Sequence, residues 1–269
     1  NSANSPPKNP PPMNPERRFG GIDRLYGPGS LQHLARAHVC VIGIGGVGSW
    51  AAEALARCGV GKITLIDLDH IAESNTNRQI HALQGEYGRA KVEAMAQRIR
   101  LINPSCAVQT VDDFITPENV ATCLPECDAV LDAIDDNRAK AALINHCRRL
   151  NLPVVTTGGA GGRRDPTRLQ IADLARTEHD PLAAKLRALL RKDYGFPHGP
   201  KQIFGVDCVF STEPVTRPQR DTSCELPATP QGLNCAGYGS VVMVTASFGM
   251  AAAARLIDRL LPTPGSEGA

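Results

Sequence analysis

Arg78, Lys91 and Asp135 are two cations and a carboxylate that follow, in that order, a glycine-rich run at Gly43, Gly45, Gly46 and Gly48. Together they suit a nucleoside triphosphate: the glycines let phosphates approach the backbone, the cations grip them, and the carboxylate holds their metal. A dinucleotide needs only the glycine turn and an acid for its ribose hydroxyls, a place that Asp67 fills at the end of the apolar stretch K-I-T-L-I-D. A nicotinamide or flavin enzyme leaves S-N-T-N-R-Q at 74–79 unexplained, so the dehydrogenase reading is the weakest. Taken singly, each residue has a plainer role. Arg78 and Lys91 suit solvated or ion-paired positions, and Asp135 or Asp136 suits the cap of a helix that begins near Asn137. Their common order makes the set more specific than its members.

The elements that must position these residues follow from apolar periodicity. The run V-C-V-I at 39–42 enters the glycines, and the helix-favouring W-A-A-E-A-L-A at 50–56 leaves them, which reads as strand, tight turn and helix. In that arrangement Gly43 allows the turn, Gly45 and Gly46 admit a phosphate, and Gly48 lets the helix pack close to the strand. Unpaired amides at the helix start then face the anion. Further strands are expected at 62–67, 107–111, 129–131 and 153–157, with helices at 91–102 and 137–150 and a helical lead-in at 16–35. Beyond Thr157, G-G-A-G-G at 158–162 reads as a flexible turn, followed by strands at 169–172 and 206–210 around a helix at 181–192. The fold class is α/β: a doubly wound, Rossmann-like, mainly parallel sheet with an antiparallel C-terminal extension.

Composition sets bounds on this reading. With 269 residues, 42% hydrophobic and 21% charged, the chain can bury one large core with a small annex. A formal charge of +2 leaves any nucleic-acid contact to a local patch. The nine cysteines are scattered and form no C-x-x-C pair, which suits buried thiols in a reducing compartment and gives no structural zinc site. Residues 1–15 are rich in Pro, Asn and Ser, lack an apolar signal core and read as a disordered tail. The uncharged run 236–254 is long enough to span a bilayer, but its glycines, hydroxyls and alanines favour a buried or subunit-interface helix.

G-I-G-G-V-G, D-L-D, S-N-T-N-R-Q, A-K-V-E and D-A-I-D-D-N together resemble the adenylating superfamily that includes ubiquitin-activating enzymes and the adenylyltransferases of molybdopterin and thiamine synthesis. Within it, R-F-G-G-I-D-R-L-Y-G, T-T-G-G-A-G-G-R-R-D-P-T-R-L-Q-I-A-D-L, D-P-L-A-A-K-L-R, G-V-D-C-V-F-S-T-E and N-C-A-G-Y-G-S are similar to the family of tRNA threonylcarbamoyladenosine dehydratases. The resemblance implies one adenylating domain over 16–269, with a nucleotide-binding core at about 36–157 and a substrate or dimer extension at about 158–261. It implies ATP held by the four glycines, Asp67, Asp69, Asn75, Asn77 and Gln79. Arg78 and Lys91 would grip the phosphates, and Asp135 would hold Mg2+. The implied activity is ATP-dependent cyclising dehydration of threonylcarbamoyladenosine in tRNA, through adenylation of its threonyl carboxylate. The implied setting is a cytoplasmic homodimer, with a sulfurtransferase or cysteine desulfurase as a further partner and no membrane association.

Some positions stay open. Cys235 matches a candidate catalytic cysteine of the resemblance, and equally suits a small residue packed beside Gly237 and Gly239. Gly21 stands where the wider superfamily has an arginine that reaches the partner subunit's ATP, leaving Arg18 or Arg24 as substitutes. Residues 163–192 carry the one sizeable basic excess, with Arg163, Arg164, Arg168, Lys185, Arg187, Arg191 and Lys192 as candidate tRNA contacts. On the helix within it these cations do not share one face, so an ordinary solvated helix is a serious rival. Two other functions remain in view: activation of the C-terminal Gly-Gly of a sulfur-carrier protein, and a non-catalytic nucleotide-binding or sulfur-relay scaffold. The absence of C-x-x-C pairs weighs against the first, and the intact set Arg78, Lys91 and Asp135 against the second.

Overall fold

The computed structural model describes residues 14–199, 201–216 and 238–261. Three short helices lead in: α1 (Pro15–Phe19), α2 (Gly21–Tyr26) and α3 (Ser30–Arg36). Strands and helices then alternate as β1 (His38–Ile42), α4 (Gly48–Arg57), β2 (Lys62–Ile66), α5 (Lys91–Ile102), β3 (Ala107–Val111), α6 (Val120–Cys123), β4 (Ala129–Asp132), α7 (Asn137–Leu150) and β5 (Val154–Thr157). The remainder is β6 (Leu169–Asp173), α8 (Pro181–Tyr194), β7 (Asp207–Ser211) and α9 (Val242–Leu260). Asn14 already accepts a hydrogen bond from Arg17 N (2.9 Å) and caps α1, while residues 1–13 of the expected tail lie outside the described residues.

The seven strands form one sheet in the order β3-β2-β1-β4-β5-β7-β6. From β1 the chain winds outward to β2 and β3, then returns to β4 on the other side of β1. That reversal opens a crevice at the carboxyl ends of β1 and β4, the place where open α/β sheets take ligands. Every pairing between these strands is parallel except β6 with β7. The mainly parallel, doubly wound sheet is as expected. The antiparallel extension is confined to the edge strand β6, because β7 returns beside β5 in the parallel sense.

Alternation along the strands divides the core into two layers. Val39, Val41, Ile63, Leu65 and Leu131 pack with α4, α5 and α9, whereas Cys40, Ile42, Ile66 and Val130 pack with α7 and α8. Charged groups fasten the α4, α5 and α9 layer. The buried Glu53 carboxylate on α4 pairs with Arg57 (2.7 Å) and with Arg98 on α5 (2.6 Å), and Asp207 on β7 pairs with Arg255 (3.0 Å) and Arg259 (2.6 Å) on α9. Helix ends follow their sequence signals: Asp136 caps α7 through Ala139 N (2.8 Å), and Asp180 caps α8 through Ala183 N (3.0 Å). The left-handed residues Asn151 (φ 54°) and Gly195 (φ 64°) end these two helices.

The uncharged C-terminal run supplies most of α9, which packs into the core. Among the described residues no helix is long and apolar enough to cross a membrane. Val244, Phe248, Ala252 and Leu256 of α9 are buried at helical spacing. Gly249 meets α4 so closely that a Cβ there would lie 2.9 Å from Ala51 N and 3.0 Å from Trp50 Cβ, and closer still to Val47 O. Most of those neighbours are backbone and cannot yield independently. Gly249→Ala is therefore expected to destabilise the fold by about 1–3 kcal/mol through overpacking, read as a lower urea midpoint. An unchanged midpoint would mean that α4 and α9 do not approach this closely.

Candidate active site

The turn after β1 sits in the crevice and is shaped by steric exclusion. Gly43 has φ +83°, and a Cβ on it would lie 2.8 Å from Ala133 O, in the turn that follows β4. A Cβ on Gly48 would overlap Gly43 O and stand 3.3 Å from Ala133 Cβ. Glycine at these two positions lets α4 start directly above the strand ends. Unlike α7 and α8, α4 has no side-chain cap; Val47 occupies the N-cap and makes no side-chain hydrogen bond. Ser49 N donates to Gly45 O (3.1 Å), and the other first-turn amides have no side-chain acceptor and are open to an anion at the cleft.

The cleft has a volume of about 1070 Å³, at the upper end of the range for small-molecule sites. Gly43, Gly45, Gly46, Asp67, Asp69, Asn75, Asn77, Arg78, Gln79, Lys91 and Asp135 all line it. Of the residues singled out for nucleotide chemistry, Gly48 lies just outside the lining, in the first turn of α4, and Cys235 lies outside the described residues.

Arg78 is half-buried and held from its own segment: Nη1 donates to Ser74 O (2.6 Å) and Asn77 Oδ1 (3.0 Å). Its Nε is buried without a partner, and among the described residues no carboxylate pairs with it. Burial pulls its pKa down from the ordinary arginine value. The carbonyl of Arg78 is fixed by Trp50 Nε1 (2.9 Å), and Asn77 Nδ2 donates to Ser240 O (2.7 Å). The 74–79 segment is thus tied both to α4 and to the chain just ahead of α9. Gln79 is buried and its Oε1 has no partner. Asn75 turns inward to accept from Ala72 N (3.0 Å).

Lys91 lies at the start of α5 with only 7% of its side chain exposed, and its Nζ is 2.6 Å from Asp69 Oδ2. Asp67 accepts from Ile44 N (2.6 Å) and Asp69 N (2.8 Å), so it splints the glycine turn to the end of β2. Burial raises its pKa, against the opposing effects of Lys91 and the two amides. The two adjacent acids after β4 have different tasks. Asp136 is the helix cap, while Asp135 is exposed at the cleft and makes no hydrogen bond or ion pair among the described residues.

Several site residues carried no sequence signal of their own. Beneath Asp135, Lys140 and Asp132 are both fully buried with Nζ 3.0 Å from Oδ2; Lys140 also donates to Ile134 O (2.9 Å), and Thr156 donates to Asp132 (2.6 Å). This pair stiffens the turn that carries Asp135. The D-A-I-D-D-N text contains Asp132, but nothing in it signals burial. Phe114 presents an exposed ring at the cleft. The 158–162 glycines are pinned and not free: Gly158 N donates to Val209 O (2.8 Å), Gly159 N to Asp180 Oδ2 (3.0 Å), and Gly162 N to Gly239 O (2.7 Å).

The candidate tRNA contacts separate. Arg163 is a correction: it is only 2% exposed, pairs with the buried Asp180 (3.3 Å) and donates to Ser211 O (2.9 Å), so its guanidinium is withdrawn from the surface. Arg164, Arg168, Lys185 and Lys192 are exposed, while Arg187 and Arg191 are half-buried.

A family model, the ThiF family, matches residues 22–267. The chain is 54% identical to the tRNA threonylcarbamoyladenosine dehydratase of Haemophilus influenzae, over 92% of this chain and 95% of that protein. The enzyme of the same name from Escherichia coli is 55% identical, over 94% and 96%. A crystal structure of E. coli tRNA N6-threonylcarbamoyladenosine dehydratase in complex with ATP matches with a TM-score of 0.84 and 52% identity, covering 94% of this chain and 97% of that one.

Two consequences of the buried charges can be measured. Lys140→Met leaves Asp132 buried without its cation and is expected to cost about 3–5 kcal/mol in denaturant titration. His81, just past Gln79, is buried with neither ring nitrogen partnered, and burial, with Lys91 and Arg98 nearby, lowers its pKa from 6.5 to about 4. The unfolded chain thus takes up a proton before the folded one does. Stability is fully present above pH 6.5 and falls as pH drops towards 4, by roughly 3 kcal/mol in all. His81→Leu should flatten that part of the stability profile; an unaltered profile would assign the acid sensitivity elsewhere.

Proposed function

Because the chain belongs to the ThiF family, we propose that it is an ATP-dependent dehydratase acting on threonylcarbamoyladenosine in tRNA. The observation that carries this reading is the pairing of an α4 start without a side-chain cap with a half-buried Arg78 that has no carboxylate partner among the described residues, both at one cleft. ATP is the nucleotide that the site would take, as in the E. coli relative's complex.

In this reading the threonyl carboxylate oxygen attacks the α-phosphorus of ATP, and the bond to the departing pyrophosphate breaks in line. The α4 amides and Gly45 and Gly46 bear on the phosphates, and Arg78 meets the charge that develops on them. Lys91 joins them from its contact with Asp69. Asp67 and Asn75 frame the nucleoside side, with Gln79 beside the glycine turn. Magnesium fits Asp135, whose oxygens are uncommitted, since this ion needs only one or two carboxylates when phosphates and water complete its shell. It would supply charge neutralisation for the leaving group. A nucleophile within the same modified side chain then attacks the activated carbonyl, closing a ring and expelling AMP, for net loss of water.

A homodimer belongs to the same proposal, and Met243 and Met250 exposed on the outer face of α9 support it. A cytoplasmic location and a sulfurtransferase or cysteine desulfurase partner belong to the proposal as well.

Incubation with ATP, magnesium and tRNA bearing threonylcarbamoyladenosine, followed by digestion and mass spectrometry, should show that nucleoside lose one water. Arg78→Ala should slow the reaction by on the order of a hundred-fold or more. ATP binding without any mass change would overturn the proposal, and a carrier protein ending in Gly-Gly would be the next substrate.

A further inference from the structure

Two neighbouring helices on the same face of the sheet carry charge of nearly one sign. α7 holds Arg138, Lys140, Arg148 and Arg149 with no acid, and α8 holds Lys185, Arg187, Arg191 and Lys192 against Asp193 alone. Lys140 is neutralised by Asp132, and Arg187 is turned inward to Thr177 Oγ1. Six cations remain: Arg138, Arg148, Arg149, Lys185, Arg191 and Lys192. None forms an ion pair among the described residues, in contrast to Arg57, Arg98, Arg255 and Arg259 elsewhere. For a chain of net charge +2 this is a local concentration of charge and not a general excess.

Two of the six are built into the fold. The Arg148 guanidinium lies 4.1 Å from the centre of the Phe196 ring, and that of Arg191 lies 5.2 Å from the Phe204 ring. The rings are in edge-to-face contact at 5.0 Å and are 1% and 7% exposed. Arg148 reaches Tyr194 O (3.5 Å) and Arg191 donates to Pro197 O (3.2 Å). An arginine laid on a buried ring keeps its planar fork oriented and loses little freedom on meeting a phosphate.

The face is continuous with the cleft. Asp180 at the start of α8 holds Gly159, Leu182 lines the cleft, and the 14 residues of α8 lead away from it towards Arg191 and Lys192. At the usual rise this is about 21 Å, long enough to follow several nucleotides. Between the cations α8 exposes Ala184 and Ala188, and no aromatic anchor of the kind protein partners use.

We propose that the α7–α8 face binds the RNA backbone of the substrate outside the modified nucleotide, with Arg148 and Arg191 as two fixed phosphate anchors. The proposal rests on the tRNA reading above. Recognition is by phosphate position, and repeated negative charge favours RNA over an acidic protein on this surface.

The test is binding of an unmodified tRNA transcript to the full chain, by fluorescence anisotropy at several salt concentrations, which requires no dehydration chemistry. R148A and R191A should each lower the slope of log affinity against log salt by about 1. The double variant should raise the KM for modified tRNA several-fold, with kcat and ATP affinity unchanged. Arg100→Ala, on α5 against the other sheet face, should leave tRNA binding as it was. Wild-type affinity and slope in the double variant would overturn the proposal and leave the face to an acidic protein partner. An equal loss in Arg100→Ala would overturn it too, as an effect of net charge. Failure of dehydration with these binding shifts intact would count against the proposed reaction and not against the surface.

Discussion

The first backbone amides of α4 are left without a side-chain cap, and apart from Ser49 N, which donates to Gly45 O, they lie open beside the turn that joins the helix to β1. This is costly for an isolated fold, since unpaired amides want water or an acceptor. The surroundings are arranged to keep them open. Gly43 and Gly48 exclude any side chain from the approach, Asp67 fixes the turn through Ile44 N, and α9 presses Gly249 against the other side of α4. The reversal of strand order between β1 and β4 places Asp135 opposite, and the 74–79 segment brings Arg78 across the top.

Charge in this protein is sorted by what surrounds it. Glu53, Asp207 and the Lys140–Asp132 pair are joined to their counter-ions and hold elements together. Among the described residues, Arg78 and Asp135 are left without ionic partners beside the cleft, and six cations are left so on α7 and α8. A sequence displays both kinds of charge identically. Only the packing distinguishes a clamp from a ligand-ready group, and desolvation makes the difference large.

This is why the fold was more legible than the site. Strand 39–42 is a short apolar run that ends in glycines, 107–111 follows the break at Asn103-Pro104, and the caps at Asp136 and Asp180 are local signals three residues from their partners. The residues that line the cleft were legible because glycine spacing and the S-N-T-N-R-Q text are contiguous. What escaped depends on distant neighbours. Arg163 looked like surface charge until Asp180 and Ser211 closed over it. Arg148 gained meaning only when Phe196 and Phe204 came beneath it and Arg191. The parallel return of β7 likewise depends on which edge the strand reaches, which no local pattern encodes.

The hydrogen bond from Trp50 to the Arg78 carbonyl has a consequence of a different kind. The chain has a single tryptophan, and its indole N–H is bound to the carbonyl of Arg78, the residue whose guanidinium lines the cleft with its Nε unpartnered. The same carbonyl is approached by Thr245 of α9. Any shift of the 74–79 segment alters the polarity and hydrogen bonding of the indole directly, with no second tryptophan to obscure it. The molecule therefore carries its own optical label at the junction of α4, α9 and the cleft.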